Sequence, residues 1–217
     1  CLLKRLIEAL MVIFNNFFKH HTIRFLIIFS IISGYLVDHF NLWNKWPLFI
    51  LVIFLAPFYE WYAHKFILHK QLNEKDNWLK KFQIKLHHGH HADPDNLDLQ
   101  FAPFLAIIIL FIQTYLFYSI ILLSFKNALV PIFSTFIYYL FYEWIHLAHH
   151  SKNYKPLTNI GKRLKEAHMQ HHFHNENFNW GITNLLADYV LGTFKTSKNI
   201  VKSSTTKTIA GYTKDLH

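Results

Sequence analysis

The sequence predicts an all-α integral membrane protein, with four transmembrane helices and a histidine-rich dimetal site on their cytosolic side. Three observations predict it. Hydrophobic residues make up 52% of the 217 and charged residues only 16%, against roughly 25% charged in a soluble domain. Four apolar runs, at about 23–42, 46–62, 101–125 and 129–147, approach the ~20 residues that a crossing needs. Histidine occurs 17 times, and ten of those residues form four ordered clusters that end or follow the apolar runs.

Residues 1–22 come first. Lys4, Arg5, Glu8, Asn15, Asn16 and Lys19 share about a third of a helical wheel, and the rest of it is Leu, Ile, Val, Met and Phe. That pattern suits a helix lying in the membrane interface or an ordinary packing helix. The first apolar run is followed by Trp43 and Trp46, where an aromatic belt is expected. The second leads directly into His64. Lys126 and Asn127 make a tight reversal between the third and fourth. The fourth contains Glu143 and ends in the His146 cluster. Asp93-Pro94-Asp95-Asn96 ends the helix carrying His87 to His91. Residues 151–164 read as loop and Glu166 to His174 as helix. The membrane domain is thus 23–194, and 195–217, rich in Lys, Ser and Thr, reads as a mobile, peripheral tail.

Charge checks the topology. Four crossings put all but Lys45 and Lys126 of the 22 basic residues on one side, including six lysines from Lys65 to Lys85. The positive-inside rule makes that side cytoplasmic, in a bacterial inner membrane or the endoplasmic reticulum. All four histidine clusters fall on it. The formal charge of +9 therefore suits anionic lipid, and no separate basic arm points to nucleic acid. The only cysteine, Cys1, excludes an internal disulfide and a Cys-based metal site. A chain opening on Cys rather than Met suggests further residues upstream.

The organising motif is His87, His90 and His91. On a helix, positions i, i+3 and i+4 share a face, so three imidazoles point at one spot. The spacing returns at His168, His171 and His172. His64 with His69, and His146 with His150, complete ten ligands suited to Zn, Cu, Fe or Ni. Ten exceed what one ion takes and suit two. His64 and His69 are five apart, about 140° around a helix, so without a break or bulge they would serve different ions. His149 could replace or join His150; His88 and His174 lie beside ligands. Glu60, Glu143, Glu166 and Asp188 are candidates to orient the imidazoles. His20, His21, His39 and His217 read as solvated or hydrogen-bonded.

The order H-x4-H, H-x2-H-H, H-x3-H, H-x2-H-H resembles the fatty acid hydroxylase superfamily of membrane non-haem di-iron enzymes, which includes sterol desaturases. His87 to Pro94, His168 to Phe173, Trp180-Gly181-Ile182-Thr183 and Asp188-Tyr189 are most similar to fatty acid 2-hydroxylases. The resemblance covers roughly residues 55–194. It implies a membrane-embedded helical stem with a cytosolic helical cap holding the metals, two iron ions, O2 as co-substrate, and hydroxylation of a fatty-acyl chain from membrane lipid; Zn could take the same ligands in a purified sample. It also implies an external electron donor. Many eukaryotic relatives carry a fused cytochrome b5 domain, which this sequence does not show, so electrons are expected from a separate cytochrome b5-like or ferredoxin-like protein, or from a domain upstream of Cys1. Tyr138, Tyr139 and Tyr142 are candidates to line the acyl path. Sterol desaturase or carotenoid hydroxylase activity shares the ligand pattern. A membrane metal transporter would need ligands within the crossings, and a zinc hydrolase would leave most of the imidazoles without a role.

Overall fold

The computed structural model describes residues 2–72 and 78–212, without the side chains of Leu2, Leu3 and Arg5. Cys1, the Arg5 side chain, Lys75, Lys214 and His217, used in the readings above, lie outside the described residues. The amphipathic α1 (Leu2–Lys19) packs on a stem of three long apolar helices, α2 (His21–His39), α3 (Trp46–Ala63) and, after a short cap segment, α7 (Phe104–Ile121). A fifth long helix, α8 (Leu129–His150), runs among them. The cap holds α4 (Trp78–Gln83), α5 (Gly89–Ala92), α6 (Leu97–Gln100), α9 (Asn159–Phe173) and α10 (Leu186–Val190).

Three stretches are long and apolar enough to cross a membrane: His21–His39, Trp43–Leu68 and Leu97–Ile121. The chain is an all-α, multi-pass membrane protein. The expected fourth crossing, α8, does not meet the same measure. Tyrosines, Glu143 and three histidines lower its apolarity, and it can carry them because it is the inner helix. It packs on α2, α3 and α7 and buries Val130, Ile132, Ser134, Phe136, Glu143 and Leu147. A helix facing protein on most sides needs less apolar surface than one facing lipid.

Local chemistry sets the ends. Asn41 adopts the left-handed region at φ 53°, and the Leu42 N–H bonds back to the Val37 carbonyl at 2.9 Å, a C-terminal cap that closes α2 at His39 rather than 42. Thr158 accepts the Gly161 N–H at 3.0 Å. This N-cap starts α9 at Asn159, ahead of the expected Glu166, so part of the 151–164 stretch is helix.

The core joins Ile13 and Phe17 of α1, Ile23 and Leu26 of α2, Phe111 of α7, and Phe136 and Leu147 of α8. Phe111 and Phe136 stack with centroids 3.8 Å apart. The outer faces keep Ile31, Phe54, Phe117 and Ile120 exposed, as lipid contact requires. The segment after Lys195, expected to be peripheral, instead crosses the cap and buries Thr206 and Ile209. Its backbone groups find partners there that a Lys-Ser-Thr composition does not advertise.

Phe136→Ala opens a cavity in this core and is expected to cost roughly 3 kcal/mol. Thermal unfolding in detergent should show a clear drop, while Phe117→Ala on the outer face stays near wild type.

Candidate metal centre

The ten clustered histidines come together as two groups of five. His64, His69, His87, His91 and His171 form one; His90, His146, His150, His168 and His172 form the other. Within each, the ligand atoms all lie within 4.8 Å of one another. Each three-histidine motif is divided. The i and i+4 members, His87 with His91 and His168 with His172, share a group, and the i+3 member crosses to the other. The triplets therefore do not each aim at one spot, because 3.6 residues per turn leave i+3 and i+4 on opposite edges of the face.

His64 and His69 serve the same group, contrary to the expectation from a regular helix. Residues His64–Leu68 form a π-helical turn, closed by the His69 N–H on the His64 carbonyl at 3.1 Å. The wider turn absorbs one extra residue, so a five-residue spacing does what His146 and His150 do at four. A second π turn, Ile84–His88, carries His87 and closes on Gly89. A Cβ at Gly89 would stand 3.1 Å from both the Ile84 carbonyl oxygen and Leu99, so glycine fits here.

In the first group three tautomers are set by backbone carbonyls. The Nδ1–H groups of His64, His171 and His91 donate to Trp180, Phe178 and Thr206 at 2.6, 2.8 and 3.0 Å. Their Nε2 atoms therefore face inward as lone pairs. Those of His64 and His91 each approach His87 Nε2 at 3.1 Å, as does that of His69. One Nε2–H on His87 can serve only one of them. In the second group His90 and His168 stand 3.0 and 2.9 Å from His150. Neither ring nitrogen of His146 or His172 has a hydrogen-bond partner among the described residues. A cation between inward lone pairs at this spacing would satisfy them together. Nitrogens about 2.1 Å from a metal stand about 3.0 Å apart at right angles, so the residues fit one ion per group.

Burial first, and neighbouring imidazoles second, push His87, His90, His91, His168, His171 and His172 well below the ordinary histidine pKa. Neutral imidazole is the form that binds a metal.

The carboxylates act at one remove. Glu60 accepts the N–H groups of Ile182 and Thr183 and the hydroxyls of Thr183 and Tyr138. It thereby pins the loop whose Trp180 carbonyl orients His64. Asp188 accepts the N–H groups of Trp180 and Gly181 at 3.0 and 2.7 Å and the Thr193 hydroxyl; burial raises its pKa against those bonds. A Cβ at Gly181 would meet the Asn184 carbonyl oxygen, which leaves no room for another residue. Glu143 is buried, with its Oε1 3.5 Å from the Ala102 N–H and its Oε2 unpartnered among the described residues. Glu166 is exposed and meets Gln170, away from the imidazoles. His149 and His88 are buried beside the groups without joining them, and His174 bonds to the Ile200 carbonyl. Thr206 and Phe178 were invisible as site residues, since a carbonyl carries no sequence signal; Trp180 was marked only by the Trp180-Gly181-Ile182-Thr183 resemblance, without its carbonyl's role.

The fatty acid hydroxylase family profile matches residues 49–193. Two dihydroceramide fatty acyl 2-hydroxylases of Arabidopsis thaliana are each 32% identical, over 70% and 67% of this chain and 62% and 59% of their own lengths. The ceramide very long chain fatty acid hydroxylase of Saccharomyces cerevisiae is 29% identical over 70% of this chain and 40% of its own. The chain thus spans less than two thirds of these relatives. A solved structure of full-length Scs7p, with only its hydroxylase domain visible, superposes with a TM-score of 0.67 at 23% identity, over 79% of this chain and 66% of that one. The fold and its paired histidine groups define a membrane helical bundle with two five-histidine groups able to hold metal. The chain belongs to the fatty acid hydroxylase family.

Two outcomes follow from this geometry. Below about pH 6.5 the unfolded chain takes up protons that the buried imidazoles refuse, so stability falls with falling pH by up to about 1.4 kcal/mol per unit for each. Melting of metal-free protein from pH 8 to 5 measures this. Deletion of Ile67, which would let the π turn relax to a regular one, is expected to keep metal binding, whereas deletion of Leu147 from the regular turn abolishes it; metal content of the purified variants decides.

Proposed function

We propose that this protein is a membrane-bound, non-haem di-iron oxygenase that hydroxylates a fatty-acyl chain of a membrane lipid, of the fatty acid 2-hydroxylase type, in lipid biosynthesis. The observation that carries the reading is the pair of five-imidazole groups with cis-like nitrogen spacing. All ten histidines serve as ligands in it. Bound iron supplies the reversible redox change and O2 activation that Zn, being redox-silent, cannot.

The protein's own residues supply the rest. The carbonyls of Trp180, Phe178 and Thr206 hold three imidazoles in one tautomer. Glu60 and Asp188 fix the loop that bears two of those carbonyls' neighbours. Among the described residues no carboxylate joins either group, so the ligands that these residues would offer to iron are neutral imidazoles. A separate electron-transfer protein, cytochrome b5-like or ferredoxin-like, delivers the electrons. Tyr142, whose ring lies 5.8 Å from that of His146 and stacks on Tyr139, lines the acyl path. Tyr138 is instead tied to Glu60 and buttresses the loop.

In this reading α8 is a fourth crossing. Its polar residues face its neighbours, and the crowding of basic residues on the histidine side sets that side in the cytoplasm. Residues 1–22 lie along the interface, and 23–194 form the catalytic domain. The names of the relatives favour an acyl chain over a sterol or carotenoid. Ligands gathered at the ends of α3 and α8, not along their middles, speak against transport.

Expression in a host lacking 2-hydroxy fatty acids, with lipid mass spectrometry under 18O2, tests the reading. A labelled hydroxyacyl product should appear with wild type and fall to background in His91→Ala and in His150→Ala, one from each group. Iron-loaded, intact protein that makes no such product with a reducing partner overturns it.

A further inference from the structure

The two groups differ in what stands behind them. The second leaves the Nδ1 atoms of His90, His146, His168 and His172 buried and unpartnered among the described residues. The first is backed by carbonyls, and one of these, Thr206, belongs to a strap outside the stretch matched by the family profile, which ends at 193.

That strap is fastened at several points. The Ser203 N–H donates to the His174 carbonyl at 2.7 Å, and Asn175 Nδ2 to the Val201 carbonyl at 2.9 Å. Gln71 Nε2 donates to the Ile209 carbonyl at 2.6 Å, and the Tyr212 hydroxyl to Gln83 at 2.9 Å. At its centre is Glu176, only 3% exposed. Its Oε1 accepts the hydroxyls of Thr205 at 2.6 Å and Ser203 at 3.1 Å. The Thr205 N–H closes on the Ser203 hydroxyl at 3.1 Å. A carboxylate this buried, spent on two hydroxyls of one turn, fixes the peptide that follows. That peptide leads into Thr206, and the Thr205 carbonyl in it accepts the N–H groups of Thr208 and Ile209, so the Thr206 carbonyl, which receives the His91 Nδ1–H, is held inside a closed turn.

We infer that Glu176 is a positioning residue for metal retention: through Ser203 and Thr205 it sets the Thr206 carbonyl, holds His91 in its ligating tautomer, and so retains the ion of the first group but not that of the second. The inference rests on the two-ion reading above. Partners of ligating histidines ordinarily govern metal affinity by about 10–100-fold, and here the partner is reached through the strap.

The test uses the full chain, iron-loaded in detergent, with metal content and release to a chelator followed in time. Wild type should hold two ions. Glu176→Ala and the Ser203→Ala/Thr205→Val double variant should release one ion about 10–100-fold faster and the other at the wild-type rate. Glu176→Gln, whose amide oxygen still accepts both hydroxyls, should restore slow release, as should Thr205→Ser. Adding Glu176→Ala to His91→Ala should produce no further loosening. A general loss of structure would speed both ions together, and that result, or unchanged release of both, overturns the proposal. Fewer than two ions on wild type would instead overturn the two-ion reading, and the proposal with it.

Discussion

Everything in this fold answers to the crowding of unprotonated imidazole nitrogens. His64 and His91 each give their proton to a backbone carbonyl and turn a lone pair toward His87. Lone pairs about 3 Å apart repel, and in a buried site no water can intervene to relieve them. Left alone, the arrangement is frustrated; a cation in each group would relieve it. The stem helices, the two π turns and the strap make sense as the means of forcing ten rings into that proximity.

The means are distributed unevenly. α3 and α8 deliver their histidine pairs from inside the stem, so ligand positions inherit the rigidity of a packed bundle. The loop from Phe178 to Thr183 is irregular, and its order comes from carboxylates: Glu60 from α3 takes four donors, and Asp188 takes three. A carboxylate satisfied in this way acts as a peg for backbone rather than as a ligand. The same division of labour recurs at Glu176, where a carboxylate again organises a turn that presents a carbonyl to a ring.

How much of this was legible depended on whether the cause was a side chain or the backbone. The histidine spacings identified ten residues that the fold gathers, because ligand geometry repeats with helical period. The same period misled where the backbone departed from it: His64 and His69 looked incompatible until the π turn supplied the extra residue. The triplets looked like single sites, since counting positions on a face does not say which edge meets which neighbour. α8 was legible as a long apolar run, but its inner position, which lets it carry Tyr138, Tyr142 and Glu143, depends on tertiary packing. Thr206 could not be read at all, because what matters there is a carbonyl every residue owns.

The division of each triplet has a mechanical consequence. The segment from His87 to His91 and the helix α9 each grip both groups at once, like two rungs bolted across a pair of rails. The offset between their grips is a single residue, about 1.5 Å of helical rise, with the turn that goes with it. The offset between the two groups is thus set by the backbone of these two segments. The two groups are therefore held at a fixed offset by the same two segments, a constraint that no loop could supply.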